Sequence, residues 1–334
     1  MLNRRHALIS SLALAALASG ASQAQTAPTV WRFAHTQSIP GTVWNKYATE
    51  VLPERIKQVT DGAVQIQVMT GVIPAADLMS NIRAGAVQGG SLTLPYVGST
   101  LPIWNIMALP GLVNDEAKYP AFVNNILLPY MRDDARKRFK AEPVMLFAFT
   151  GAAWFSNGPN DTLAKIPGKK FRTHSPELNQ LIQAAGGAAV PMLFGEVSGG
   201  LQKGMIDAYT ASIPSANAAK LYEATKYAEL WPAGLGGSAF FIGEDALAKL
   251  PSEMRKRVVD EFAKLNLESQ QASLEEAKTA ARQITENGMK IIQIAPAERE
   301  RMVALAREKV WPLWIKNAGP RGEQILKSAQ EALK

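Results

Sequence analysis

Lys165-Ile-Pro-Gly-Lys-Lys-Phe-Arg-Thr-His-Ser-Pro176 opens the stretch that decides the fold. A helical pattern follows it, then Pro191-Met-Leu-Phe-Gly-Glu-Val197, then Leu201-Gln-Lys-Gly-Met-Ile-Asp-Ala208. Lys169, Lys170 and Phe171 lead into Arg172 as a short strand, and Ser175-Pro176 directly behind it reads as a helix N-cap with proline at the first helical position. The chain therefore aims an arginine from a strand toward the mouth of a helix. A permanently charged planar fork, close to the free N–H groups of a helix N-terminus, suits a carboxylate.

Outward from this stretch the pattern is that of an α/β protein. On the N-terminal side, Thr29-Val-Trp-Arg-Phe-Ala34 reads as a strand, and Val43, Trp44, Tyr47, Val51, Leu52 and Ile56 recur at helical spacing. Val64-Gln-Ile-Gln-Val-Met69 alternates with period two, Leu78, Ile82 and Ala86 mark a helix, and residues 91–94 form another apolar stretch. Strand, helix, strand, helix, strand is a parallel α/β beginning. A strand at residues 143–149 precedes Thr150-Gly151, where the chain is expected to cross into a second lobe carrying Arg172. A return near residues 234–238 is expected because Ala239-Phe-Phe-Ile242 reads as a buried strand that rejoins the first sheet. Repeated crossings favour a hinged pair of lobes over two beads on a linker.

From Ser252 to Asn287 neither proline nor glycine interrupts a helical composition, and Met254, Val258, Phe262 and Leu265 share a face with Leu274, Ala277, Ala281 and Ile284 further on. An unbroken helix of this span is about 50 Å long, more than one small lobe. The apolar spacing is less regular at Asn266 and Gln270, where a break is the alternative. Trp311 and Trp314, in the C-terminal helices, read as packing anchors.

Composition narrows the function. The 334 residues carry 36 Lys and Arg against 29 Asp and Glu, a formal charge of +7, with no cysteine. Disulfides, thiolate metal sites and cysteine nucleophiles are excluded together. The positive charges are scattered among acids, so the concentrated basic stripe that nucleic acid requires is missing. Three histidines, His6, His35 and His174, with no H-E-x-x-H, G-x-S-x-G, Walker or dinucleotide pattern, leave little for hydrolysis or nucleotide chemistry, and neither a metal nor a cofactor is expected. Met1 to Ala24, with Arg4 and Arg5, an apolar run from Ala7 to Leu17 and small residues at 21–24, reads as a cleaved export signal. That places the mature chain in the periplasm. With about 310 residues it exceeds the size of one growing core, so two lobes are expected.

Gly168-Lys-Lys-Phe-Arg172, Pro191-Met-Leu-Phe-Gly-Glu-Val197 and Leu201-Gln-x-Gly-x-x-Asp207, in that order, resemble the signature of the solute-binding proteins of TRAP (tripartite ATP-independent periplasmic) transporters, of the dicarboxylate-binding-protein type. The resemblance implies an α/β, two-lobed periplasmic binding protein, a Venus flytrap, with one long helix across both lobes. It implies no enzyme activity, but capture of a small carboxylate by hinge closure and delivery to the membrane subunits of a TRAP permease. The expected boundaries are residues 26–149 with 238–277 for lobe I, and 150–237 with 278–334 for lobe II. Another tripartite or ABC uptake system, a sensor kinase partner, and an exported carboxylate-acting enzyme are the rival readings.

In the resembled family the motif arginine holds the ligand carboxylate, which points to Arg172, with Phe194 flanking the solute, Ser175 as a polar contact and Thr36 at a contact position of the first lobe. Leu109-Pro110 matches a pair that ends a cleft-forming segment. Sialic-acid-binding relatives carry an arginine before a Ser-Asn pair, whereas Gly151-Ala-Ala-Trp-Phe-Ser-Asn157 has none, and a first-lobe arginine position corresponds to Tyr96. Tyr209-Thr-Ala-Ser212 replaces a more polar stretch after the motif aspartate. Fewer charges, with Trp154, Tyr209 and Tyr96 in their place, favour a monocarboxylate, because each unmatched ligand charge in a closed cleft costs several kcal/mol. Ser238, at the return crossing, completes the candidate set. His174 is left open between cleft lining and an exposed loop, and Glu196 is read as helix-capping support.

Overall fold

The computed structural model describes residues 27–334, and the expected export signal lies outside them. Two sheets organise the chain. The first has the order β2 (Val64–Thr70), β1 (Thr29–His35), β3 (Gly89–Thr93), β10 (Gly237–Gly243), β4 (Ala141–Ala148). Its first three strands are mutually parallel, and β10 runs antiparallel between β3 and β4. The second sheet has the order β11 (Lys290–Gln293), β9 (Tyr227–Leu230), β5 (Ala152–Ser156), β8 (Ala208–Ser212), β6 (Lys170–Thr173), β7 (Ala188–Pro191). Residues 239–242 are wholly buried in β10, so the return strand is a central member of the first sheet.

The helix Ser252–Glu286 runs for 35 residues without a break. Val258, Phe262 and Leu265 join the core beneath the first sheet, while Ala280 and Ile284 join that of the second. Between these two apolar patches the helix face is polar for a reason. Strand β4 lies at the edge of its sheet, and its outward backbone groups need partners. Asn266 Oδ1 accepts from the Leu146 N–H at 3.0 Å, and Ser273 Oγ donates to the Ala148 carbonyl at 2.6 Å. The Tyr119 hydroxyl donates to Leu146 O at 3.0 Å and accepts from Ala148 N at 3.1 Å. The irregular apolar spacing around Asn266 and Gln270 thus marks an edge-capping surface and not an interruption.

The chain passes between the lobes at residues 149–151 and 231–236, beside the long helix. At the first passage Gly151 adopts φ +70°, and its N–H is held by both carboxylate oxygens of Glu116, at 3.0 and 2.9 Å. At the second, Gly234 has φ +90°, and a Cβ placed there would lie 2.3 Å from the Ala108 carbonyl oxygen.

The segment 278–334, expected to belong to lobe II as a whole, is divided. Helix Pro296–Lys309 stays with the second lobe, where Glu298 accepts from Leu163 N at 2.8 Å. Helices Trp311–Ala318 and Pro320–Ala332 return to the first lobe. There the indole N–H groups of Trp311 and Trp314 donate to the carbonyls of Pro110 and Pro102, each at 3.0 Å, and Ile325, Leu326 and Ala329 pack into the cluster containing Tyr119, Phe122 and Leu127. These anchors carry the C-terminal chain back across the boundary. Among the described residues no helix is long and apolar enough to cross a membrane.

Candidate functional site

Between the two sheets lies a cavity walled by both lobes. Gln37, Ile39, Thr93, Tyr96 and Phe149 line it from the first lobe; Trp154, Arg172, His174, Leu178, Phe194 and Thr210 line it from the second. No aspartate, glutamate or lysine is among the described lining residues.

Arg172 is the charge of this cavity. Strand β6 lies between β7 and β8, parallel to both, and alternation sends Phe171 into the core while Arg172 takes the other face. Its Nε–H donates to Met192 O at 2.9 Å and Nη1–H to Thr210 O at 2.6 Å. The Phe194 ring lies 5.8 Å from Cζ, within cation–π range. The residue is 2% exposed, and among the described residues no carboxylate lies within ion-pairing distance of it, Glu196 acting only from further off. Burial lowers the guanidinium pKa from its ordinary value, and the neighbouring Tyr96 hydroxyl acts in the opposite direction. A buried cation fixed by two carbonyls and lacking a direct ion-pair partner can accept an anion.

Two neighbours complete the polar side. The Tyr96 hydroxyl accepts from Gln37 Nε2 at 3.0 Å and, across the cleft, from the Phe194 N–H at 3.2 Å. His174 Nδ1 lies 3.0 Å from Thr210 Oγ1 and 3.4 Å from Arg172 Nη1. Burial first, and then the Arg172 charge, hold its pKa well below the usual imidazole value, so the ring is neutral.

Of the eight candidates read from the sequence, Arg172, Phe194, Tyr96 and Trp154 meet at this cavity. Four do not. The Ser175 hydroxyl caps the helix Pro176–Ala184 by accepting from Leu178 N at 3.2 Å, and it borders a separate cleft. Thr36 Oγ1 donates to Ser91 O at 2.9 Å, and Ser238 Oγ to Leu92 O at 3.1 Å, so both hydroxyls serve the first sheet. Tyr209 is fully buried on the face opposite Thr210, stacked on Phe155 with centroids 4.7 Å apart and planes at 6°. The cavity lies at the C-terminal end of β8, where Thr210, Ala211 and Ser212 all line it, and Tyr209, one residue further in, belongs to the core. Gln37 and Thr93, also missed, sit at the C-terminal ends of the parallel strands β1 and β3, where open α/β sheets place ligand contacts. His35, by contrast, is a core residue, its Nδ1 2.6 Å from Ser91 Oγ. Glu196 Oε2 accepts from Leu193 N at 2.9 Å, the local support expected of it.

With this geometry, comparison with known proteins is direct. Residues 33–317 match the family described as bacterial extracellular solute-binding protein, family 7. The chain belongs to that family, the solute-binding proteins of TRAP transporters. A solute-binding protein of Chromohalobacter salexigens is 26% identical over 273 residues, covering 78% of this chain and 77% of its own. Among solved structures, the fold is similar to that of DctP7 of Bordetella pertussis, an extracytoplasmic solute receptor binding pyroglutamic acid. The TM-score is 0.83 at 21% identity, over 90% of this chain and 99% of that one. It is also similar to a TRAP solute-binding protein from Desulfovibrio salexigens with bound orotic acid, with a TM-score of 0.80 at 21% identity, over 91% and 98% of the two chains.

Proposed function

We propose that this protein captures a small organic acid with a single carboxylate between its lobes in the periplasm and delivers it to the membrane subunits of a TRAP permease. The observation that carries the reading is Arg172, a buried cation on the wall of an interlobe cavity with no carboxylate partner among the described residues. The carboxylate docks against the guanidinium, and Trp154, Phe149, Leu178 and Phe194 cover an apolar body. One anionic group suffices, because the cavity offers one cation and several neutral donors. The two solved relatives named above bind pyroglutamic and orotic acid, each with one carboxylate on a compact ring, which supports the same class here. An exported enzyme would need a base poised over the ligand. The cavity histidine instead has its Nδ1 occupied by Thr210 and Arg172, and no acidic side chain lines the described cavity.

A thermal-shift panel of mono-, di- and tricarboxylates tests the reading. A cognate monocarboxylate at about 100 times its Kd stabilises the folded state by about 2.7 kcal/mol, raising Tm on the order of 5 °C. A panel in which only polyanions stabilise would overturn the monocarboxylate assignment. Mass spectrometry should return the solute unchanged and stoichiometric, whereas turnover would favour the enzyme reading.

A further inference from the structure

The carboxylate reading leaves open what recognises the rest of the acid, and the answer proposed here rests on that reading. We propose that His174 is a second ligand-reading residue, presenting Nε2–H as an uncharged donor to a neutral acceptor oxygen on the acid, such as a ring carbonyl, a lactam oxygen or a hydroxyl.

The tautomer follows from the neighbours. Nδ1 lies 3.4 Å from Arg172 Nη1, and a guanidinium nitrogen can only donate, so Nδ1 turns a lone pair toward it. The Thr210 hydroxyl, 3.0 Å away, can donate to the same lone pair in preference to its other acceptor, the Arg172 carbonyl at 3.4 Å. A neutral ring with Nδ1 accepting carries its proton on Nε2. That nitrogen has no hydrogen-bond partner among the described residues. It faces Gly236, in the return passage between the lobes: a Cβ built at Gly236 would lie 3.5 Å from Nε2, 3.4 Å from Pro95 Cγ and 3.0 Å from Phe149 Cδ2. A side chain at position 236 would crowd Phe149 and the imidazole, and both Gly236 and His174 line the cavity.

A second positive charge on this ring is opposed by burial and by Arg172, so the donor stays neutral while the guanidinium carries the charge. The pair therefore reads one anionic and one neutral acceptor group, selecting oxo- or hydroxy-substituted monocarboxylates over unsubstituted ones. A buried donor left without an acceptor costs about 1–3 kcal/mol, on the order of tenfold or more in affinity.

The test has two arms. In protein labelled with ¹⁵N-histidine, two-bond correlation spectra at pH 7 should show His174 as the neutral Nε2–H tautomer, and pyroglutamate should shift that resonance. His35 is the only other histidine among the described residues. In calorimetry, the wild type should bind 3-oxocyclopentanecarboxylate about tenfold more tightly than cyclopentanecarboxylate. His174→Phe should abolish that preference, bringing the two affinities to within about twofold of each other whatever its effect on both. An Nδ1–H tautomer or an imidazolium at pH 7 would overturn the proposal, as would a preference that survives His174→Phe. Equal weakening toward both acids would show a ring that merely supports Arg172, with the same consequence. If wild-type protein binds none of the three acids, the organic-acid reading itself fails, a result distinct from binding without discrimination.

Discussion

Both lobes present strand ends to the same cavity, but they furnish it differently. The second lobe supplies Arg172, locked by the carbonyls of Met192 and Thr210, with Phe194 over its face and His174 beside it. The first supplies neutral groups joined in a chain: Thr93 Oγ1 donates to Gln37 Oε1 at 3.1 Å, Gln37 Nε2 donates to Tyr96, and Tyr96 accepts from Phe194 N across the cleft. One side is a charged seat held by backbone carbonyls and the other a neutral, hydrogen-bonded cover. Under the proposed hinge closure, this division would let the acid dock by its charge before the second wall closes.

Breaking the seat should therefore cost more than breaking the cover. Arg172→Ala should weaken carboxylate binding about 1,000-fold or more in calorimetry, with the far-ultraviolet circular dichroism retained. Tyr96→Phe, which removes an acceptor for Gln37 and for Phe194 N, should cost about tenfold. Comparable losses from both substitutions would erase the distinction between the lobes.

The two passages sharpen it at the level of stability. Gly234→Ala forces a methyl group to within 2.3 Å of the Ala108 carbonyl at φ +90°, and should destabilise by about 3 kcal/mol or more in chemical denaturation. Gly151→Ala meets nothing closer than 3.4 Å, at the Ala277 methyl, and should cost only the left-handed backbone penalty of about 1 kcal/mol. The second passage is then the more tightly packed of the two.

A smaller, pH-dependent effect belongs to the contact between the lobes. Glu177, on the second lobe, is buried and accepts from Asn105 Nδ2 of the first at 2.8 Å, and burial pushes its carboxyl up to about 7. Below about pH 4.5 the folded and unfolded states both hold the proton, and between there and 7 the folded state holds more. Stability from this group therefore declines as pH rises through that window, by up to about 3 kcal/mol. Glu177→Gln should flatten the decline in denaturation midpoints measured from pH 4 to 8, and an unchanged profile would contradict the assignment.

The architecture was legible because its signals are local and periodic. The proline at position 176, the unbroken composition of residues 252–286 and the apolar run 239–242 each dictate an element without reference to the rest. The site was half legible, for a physical reason. Arg172 and Phe194 sit in ordered motifs, and Tyr96 and Trp154 replace expected charges with aromatic rings. Ser175, Thr36 and Ser238 also carry hydroxyls at plausible places, but each hydroxyl is consumed by a nearby backbone group, a pairing that spacing alone does not reveal. The return of the C-terminal helices to the first lobe depends on two indole N–H groups finding the carbonyls of Pro102 and Pro110, more than 200 residues away in the chain. Long-range pairings of that kind become visible only once the sheets are assembled.

The central claim is that one buried guanidinium recognises one carboxylate, and isothermal titration with pyroglutamate and its primary carboxamide, pyroglutamide, tests it most directly. The two solutes share ring, lactam and size and differ in a single negative charge. The account predicts that wild-type protein binds the acid at least about 100-fold more tightly than the amide, and that Arg172→Ala removes most of that ratio. Equal affinity for acid and amide in the wild type, or a preference that persists without Arg172, would contradict it.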